Sequence, residues 1–154
     1  MTHRCRRALA PLFAVLALAA AACFSTPKPE EQWQRGQVSV GSDRLLWEIT
    51  RFSLEQGGYP VGSGMDPTAL VATSGWKTSL APFRGKGWRE RAQVRYRRAA
   101  PGRYQVDVRV EKQLNMDVVK PLDLRYAKWE PAPDNLEAAR ILLERIKAWI
   151  GGDA

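Results

Sequence analysis

Histidine and cysteine are nearly missing from this 154-residue chain, which has one histidine, His3, and two cysteines, Cys5 and Cys23. His3 and Cys5 fall in an N-terminal segment with the features of a cleaved export signal. The expected mature chain therefore has no histidine and a single cysteine. That excludes a nucleophile activated by histidine, a zinc site of Cys and His ligands, and an intramolecular disulfide. Acidic residues are also short, 16 Asp+Glu against 24 Lys+Arg, and no Asp-x-Asp-x-Asp-Gly run is present to hold calcium. The longest apolar run, Ala8 to Ala22, falls short of the roughly 20 residues a membrane-spanning helix needs. No cofactor and no metal are expected.

What is there describes one small basic domain. An apolar fraction of 45% with 26% charged residues can fill a single core. Arg4, Arg6 and Arg7 precede the apolar run, which ends in small residues, so residues 1–22 read as a signal peptide. Taking those three arginines from the formal net charge of +8 leaves +5. Export also argues against a nucleic-acid partner, despite the basic balance.

The segment Ala20-Ala21-Ala22-Cys23 resembles the lipobox of bacterial lipoproteins, with Ala20 standing where that motif usually carries leucine. The resemblance covers the first two dozen residues. It implies cleavage before Cys23, lipidation of its thiol and attachment to a membrane through the acyl chains, since one chain alone gives only marginal binding. The alternative is an ordinary small-residue cleavage site at the same bond, leaving Cys23 a free thiol. Phe24 after the cysteine, in place of Asp, implies by the enteric sorting rule the periplasmic face of the outer membrane. Residues 23–35, with Pro27 and Pro29, read as the lipidated cysteine and a flexible tether, and 36–151 as a single domain.

Within that domain the expected class is α+β, an antiparallel meander of three to four strands with two helices packed on one face, in the order β-α-β-β-β-α. Val38 and Val40 suggest a short entry strand. Ser42 caps a helix through Gln56, with Leu45, Ile49 and Phe52 on one face, widened by Leu46 and Trp47, and Gly57 at its end. Residues 57–67 are turn-rich, and Ala69–Leu80 predicts a strand bent near Gly75. The clearest pattern is strict alternation from Trp88 to Arg97 and from Arg103 to Glu111 around Ala99-Ala100-Pro101-Gly102, a β-hairpin. Pairing Tyr96 with Tyr104 leaves one face apolar and the other lined with arginine. Residues 115–133 read as an irregular loop packed on the body. Asp134-Asn135-Leu136-Glu137 predicts a capping box with Asp134 as cap, opening a helix that buries Leu136, Ala139, Leu143, Ile146 and Ile150, widened by Leu142 and Trp149. Arg140 and Glu144 are expected to pair at i, i+4.

Arg84, Lys86, Arg89, Arg91 and Arg95 are the candidate residues for binding an anion or a partner, the first two in a Gly-spaced loop and the rest on the strand. The competing reading is a solvated strand face whose arginines pair with Asp107, Glu111 and Glu90. Loop carboxylates Asp66, Asp117, Asp123 and Glu130 are the candidates for acid/base chemistry, although turn-forming and ion-pairing roles suit their neighbours better. Of six tryptophans, Trp47, Trp76, Trp88 and Trp149 fit core positions, while Trp33 and Trp129 are placed in tether or loop.

A helix bearing Trp47, then Gly58-Tyr59-x-Val61, Asp66 and Thr73-Ser74-Gly75-Trp76, also resembles the helix-on-sheet domains of small lipoproteins that assist outer-membrane assembly. It spans about thirty residues and transfers no functional residue. The expected function is a membrane-anchored envelope lipoprotein with a non-enzymatic domain that binds a protein or an anionic envelope component. A small anchored or secreted hydrolase using the loop carboxylates, and a purely structural envelope protein, are the alternatives.

Overall fold

Strict alternation of apolar and charged residues forces the two longest strands into a hairpin, and the rest of the domain is built on it. The computed structural model describes residues 29–62, 64–81 and 85–150. The signal segment, Cys23, Arg84 and the chain end expected at residue 151 lie outside them. The elements are β1 (Gln34–Ser39), α1 (Asp43–Gln56), β2 (Met65–Asp66), β3 (Val71–Thr73), β4 (Lys77–Ser79), β5 (Trp88–Ala100), β6 (Arg103–Asn115), a 3-10 turn (Leu124–Tyr126), β7 (Trp129–Ala132) and α2 (Leu136–Ile150). All strand pairs are antiparallel, in the order β1-β6-β5-β3-β2, with β4 beside β3 along β5 and β7 beside β1 along β6.

The α+β class is as expected, but the sheet has seven strands rather than three or four. The bent strand at 69–80 is two strands. At the break, Ser74 N donates to Ala92 O, and Ser74 Oγ accepts from Ala92 N, so a side chain completes the ladder where the backbone turns away. β2 arises within the turn-rich stretch, where Gly64 lies so close to Thr73 that an added Cβ would stand 2.2 Å from its carbonyl oxygen. β7 comes from the stretch read as irregular. Its Pro131 is tolerated because β7 pairs only with β6, leaving its other edge free.

In the hairpin Tyr96 pairs with Val106, Val94 with Val108, and Arg91 with Glu111. This is two residues away from the expected register, so every side chain keeps its face. The shift follows from a turn confined to Pro101-Gly102, with Gly102 at φ 70°, and from an irregularity between Arg98 and Ala100. Proline presets the first turn position and glycine tolerates the second.

Both helices lie on the apolar face. Val38, Ala92, Val94, Val106, Val108 and Val110 of the sheet share one core with Leu46 and Leu54 of α1 and Ala139, Leu142, Leu143 and Ile146 of α2. Each fully buried aliphatic side chain there contributes about 1.5–3 kcal/mol. Ser42 Oγ accepts from Leu45 N, as a cap should. The buried face of α1 is Leu46, Trp47, Thr50, Ser53 and Leu54, while Leu45 and Phe52 are exposed, a correction to the expected stripe. Two hydroxyl residues in the buried face disguised it. Thr50 Oγ1 lies 2.7 Å from Leu46 O and 2.5 Å from Tyr96 Oη. The hydroxyl proton of Thr50 goes to the carbonyl, so Tyr96 donates to Thr50. After α1 the left-handed residue is Gly58 (φ 73°), not Gly57.

The entry to α2 also differs. Asn135, not Asp134, is the cap, accepting from Ala138 N and donating to the buried Glu90. Asp134 is spent instead on Arg109, an outward-facing residue of β6 that is only 4% exposed. Arg109 Nε and Nη2 reach the two Asp134 oxygens at 2.6 and 3.2 Å, and Nη1 reaches Glu31 at 2.8 Å. Gln32 N donates to Asp134 as well. Chain expected to belong to a free tether is thereby held against the sheet. On α2 itself Arg140 pairs with Glu137, and Glu144 with Lys147, rather than with each other. Leu136 and Trp149 are exposed, Trp149 meeting Phe52 edge-on with centroids 5.0 Å apart.

Candidate functional site

The outward face of β5 carries Arg89, Arg91, Gln93, Arg95 and Arg97 at alternate positions, so the pairs Arg89/Arg91 and Arg95/Arg97 stand about 7 Å apart along the strand and Gln93 separates them by about 13 Å. Arg35 of β1 joins them, and β6 supplies Asp107, Glu111 and Gln113 opposite. Long guanidinium side chains on a wet sheet are normally loose. Here three tryptophans from different parts of the chain hold Arg89, Arg91 and Arg95.

Arg89 is gripped from two sides, its guanidinium carbon 4.3 Å from the Trp76 ring centroid and 4.8 Å from that of Trp129. Its Nε donates to Gln113 Oε1 at 2.8 Å. Desolvation draws the Arg89 guanidinium below its ordinary pKa, against the pull of Glu111 and with the help of Arg91, yet an arginine so shifted stays cationic at neutral pH. Arg91 stacks on Trp76 at 4.7 Å and bonds Glu111 at 2.6 Å, while its buried Nε has no hydrogen-bond partner among the described residues. Arg95 stacks on Trp33 at 4.1 Å, with no carboxylate within salt-bridge distance among the described residues. Arg97 and Arg35 share Asp107, at 2.6 and 3.9 Å. Between them lies a surface cavity of about 400 Å³, lined by Trp33, Arg35, Val71, Arg95, Arg97 and Asp107. Each cation–π contact is worth about 0.5–2 kcal/mol, enough to preorient the fork of an arginine.

Of the residues expected from sequence, strand β5 brings Arg89, Arg91 and Arg95 into one row. Lys86 is not in it. It lies exposed in the turn before β5 and points to Met116 Sδ at 3.2 Å, at the end of the sheet. Arg84 lies outside the described residues. Arg97 belongs to the same basic run in the sequence, whereas Arg35 and the stacking of Trp33, Trp76 and Trp129 on the arginines are seen only in the fold. Trp76, expected in the core, covers the arginine face instead. Nothing in the sequence brings together tryptophans lying 43 and 53 positions apart.

The row offers N–H forks at fixed spacing, suited to phosphate or carboxylate oxygens. Three of the four expected loop carboxylates are engaged locally. Asp66 Oδ1 accepts from Thr68 N and Ala69 N, Asp117 Oδ1 from Val119 N and Lys120 N, and Asp123 is bonded to Arg125 through both oxygens. Hydrogen bonds from Lys120 and Arg125, respectively, hold the carboxyls of Asp117 and Asp123 below their ordinary pKa, desolvation opposing. Among the described residues no group of three His, Cys, Asp or Glu side chains is placed to hold a metal ion. No described helix is long and apolar enough to cross a membrane. No protein-family model matches the chain, and no curated protein matches it significantly.

Proposed function

We propose that the protein is a bacterial envelope lipoprotein, acylated at Cys23, whose domain works without catalysis by binding an anionic envelope component through the arginine face of its sheet. The carrying observation is the row Arg89, Arg91 and Arg95 held on the indoles of Trp76, Trp129 and Trp33. Orienting those forks before a ligand arrives lowers the entropy cost of binding one. The leading chain supports the same reading, because Glu31 and Gln32 are bonded to Arg109 and Asp134 beside this face. Only six residue steps separate Cys23 from Pro29, a reach of roughly 20 Å, so acylation would keep the face near a bilayer. Phe24 favours the periplasmic face of the outer membrane.

Cross-strand pairs Arg91–Glu111 and Arg97–Asp107 favour a second reading, a spacer whose arginines serve only the sheet. Titration of the purified protein with lipopolysaccharide or acidic phospholipid at several salt concentrations separates the two. The binding reading expects saturable association that weakens with salt and drops at least tenfold on Arg89→Ala with Arg95→Ala. Equal affinity of the variant at every salt concentration refutes it. Mass analysis of the native N-terminus tests the anchor, and a chain beginning at Cys23 with an unmodified thiol refutes that part.

A further inference from the structure

The connection from β6 to β7 is built inside out. Asn115, Asp117 and Asp123 turn their side chains to its backbone amides and order it. Asn115, buried at the end of β6, accepts from Asp117 N and Lys128 N and donates to Pro121 O, and Met116 N closes the loop on Lys128 O. Asp117 bonds Val119 N and Lys120 N, and Asp123 caps the turn at Leu124–Tyr126. Val118 and Val119 are 85% and 80% exposed, and Leu122, Leu124 and Tyr126 stand about half exposed beside them. An ordered loop that presents five apolar side chains to water needs a reason beyond folding.

We infer that this loop, residues 116–128, is a bilayer-inserting wedge that gives the domain a membrane contact separate from its lipid anchor. Three features favour a lipid surface over a protein groove. Val118 and Val119, at 85% and 80%, are the most exposed of its large apolar side chains. Lys120, Arg125 and Lys128 lie within the loop and Lys86 reaches its first residue, Met116, and their flexible stems let ammonium and guanidinium groups reach lipid phosphates while the valines are buried. Tyr126, under Lys120 Nζ at 4.1 Å from its ring centroid, and Trp129, against Arg89, supply aromatic rings at the level of the headgroups. Arg89 is also the first member of the arginine row, so the wedge and the cationic face are continuous. Insertion stands the sheet on end, with the Pro101-Gly102 turn pointing away from the membrane.

The inference rests on the envelope-lipoprotein reading only in so far as that reading brings a bilayer within reach. Its test uses the full chain with Cys5→Ser and Cys23→Ser, so that no acyl chain can form and the arginine row is untouched. A single cysteine is introduced as Val119→Cys or, for comparison, as Ala99→Cys beside the hairpin turn. Each is labelled with a polarity-sensitive fluorophore and mixed with vesicles of phosphatidylethanolamine and phosphatidylglycerol carrying nitroxide-labelled acyl chains. An apolar leader can adsorb to vesicles by itself, so local depth rather than binding is the readout. The label at 119 is expected to shift its emission to the blue and to be quenched several-fold more than the label at 99. Val118→Asp in the same chain removes that difference while leaving the circular dichroism spectrum unchanged. Equal quenching at the two positions overturns the inference, and so does a blue shift at 119 without quenching, which would assign the loop to a protein contact. Neither outcome depends on whether Cys23 is acylated in the cell.

Discussion

Arg109 and Asp134 offer the sharpest test of how this fold is held together. Their side chains are 5% and 2% exposed, and they join mid-sheet β6 to the residue just before the cap of α2. Asp134→Ala leaves Arg109 Nε and Nη2 without acceptors in a place closed to water, with only Glu31 to balance its charge, and it removes the acceptor of Gln32 N. Breaking a buried pair from one side costs about 3–5 kcal/mol, because the surviving charge is uncompensated. Against a total stability of about 5–15 kcal/mol that is a large share. With a urea slope of about 1–3 kcal/mol/M, the unfolding midpoint is expected to fall by about 2 M. Replacing both partners, Arg109→Met with Asp134→Leu, removes the buried charge altogether and recovers most of the loss. Arg140→Ala, which breaks the exposed pair with Glu137, is the control and costs at most about 0.5 kcal/mol. If Asp134→Ala moves the midpoint no further than Arg140→Ala does, the pair is solvated and the reasoning fails.

Three further outcomes follow from single contacts. Thr50→Val keeps the volume but strips the acceptor from the buried Tyr96 hydroxyl, so chemical denaturation should report a loss of about 1–3 kcal/mol, with Tyr96→Phe in the same chain recovering part of it. Asp43 is bonded to Tyr104 and Arg98, and the Tyr104 hydrogen bond, opposed by desolvation and aided by Arg98, holds its carboxyl below the usual 3.8. Its contribution to stability is therefore complete above about pH 4 and disappears as pH falls through the lower folded value. Asp43→Asn should flatten the acid limb of a urea-midpoint profile taken from pH 5 to pH 2, and an unchanged limb would count against the contact. Gly64→Ala drives a methyl into Thr73 O and should cost about 1–3 kcal/mol, read as a lower melting temperature, whereas Gly62→Ala, with open space around it, should cost less.

The arginine row and the apolar wedge meet at Arg89 and Trp129, where β5, β6 and β7 end together. A domain tethered by a few residues gains from contacts that set its orientation, since one flexible attachment fixes distance but not angle. The two tests address these surfaces separately.

Much of this was legible in the amino-acid order, and the rest was not, for one physical reason. Side chains on a strand alternate faces and side chains on a helix repeat every 3.6 residues, so local pattern alone assigned the two faces of the hairpin, the Ser42 cap and the middle of the α2 stripe, Ala139, Leu142, Leu143 and Ile146, though not its ends at Leu136 and Trp149. A shift of two residues in hairpin register left those faces intact. Arg89, Arg91 and Arg95 were therefore identifiable as neighbours before any fold was known. Local pattern is silent about partners far along the chain. Asp134 looked like a helix cap because its true partner, Arg109, is 25 residues away, and Trp76 looked like core because the arginines it covers lie on another strand. β2 and β7 are short and contain glycine or proline nearby, so only the long strands beside them could make them strands. Tertiary structure decided which charges are buried, which indoles hold the arginines and which way the 116–128 loop turns its valines, because each depends on surfaces that exist only once distant segments have packed.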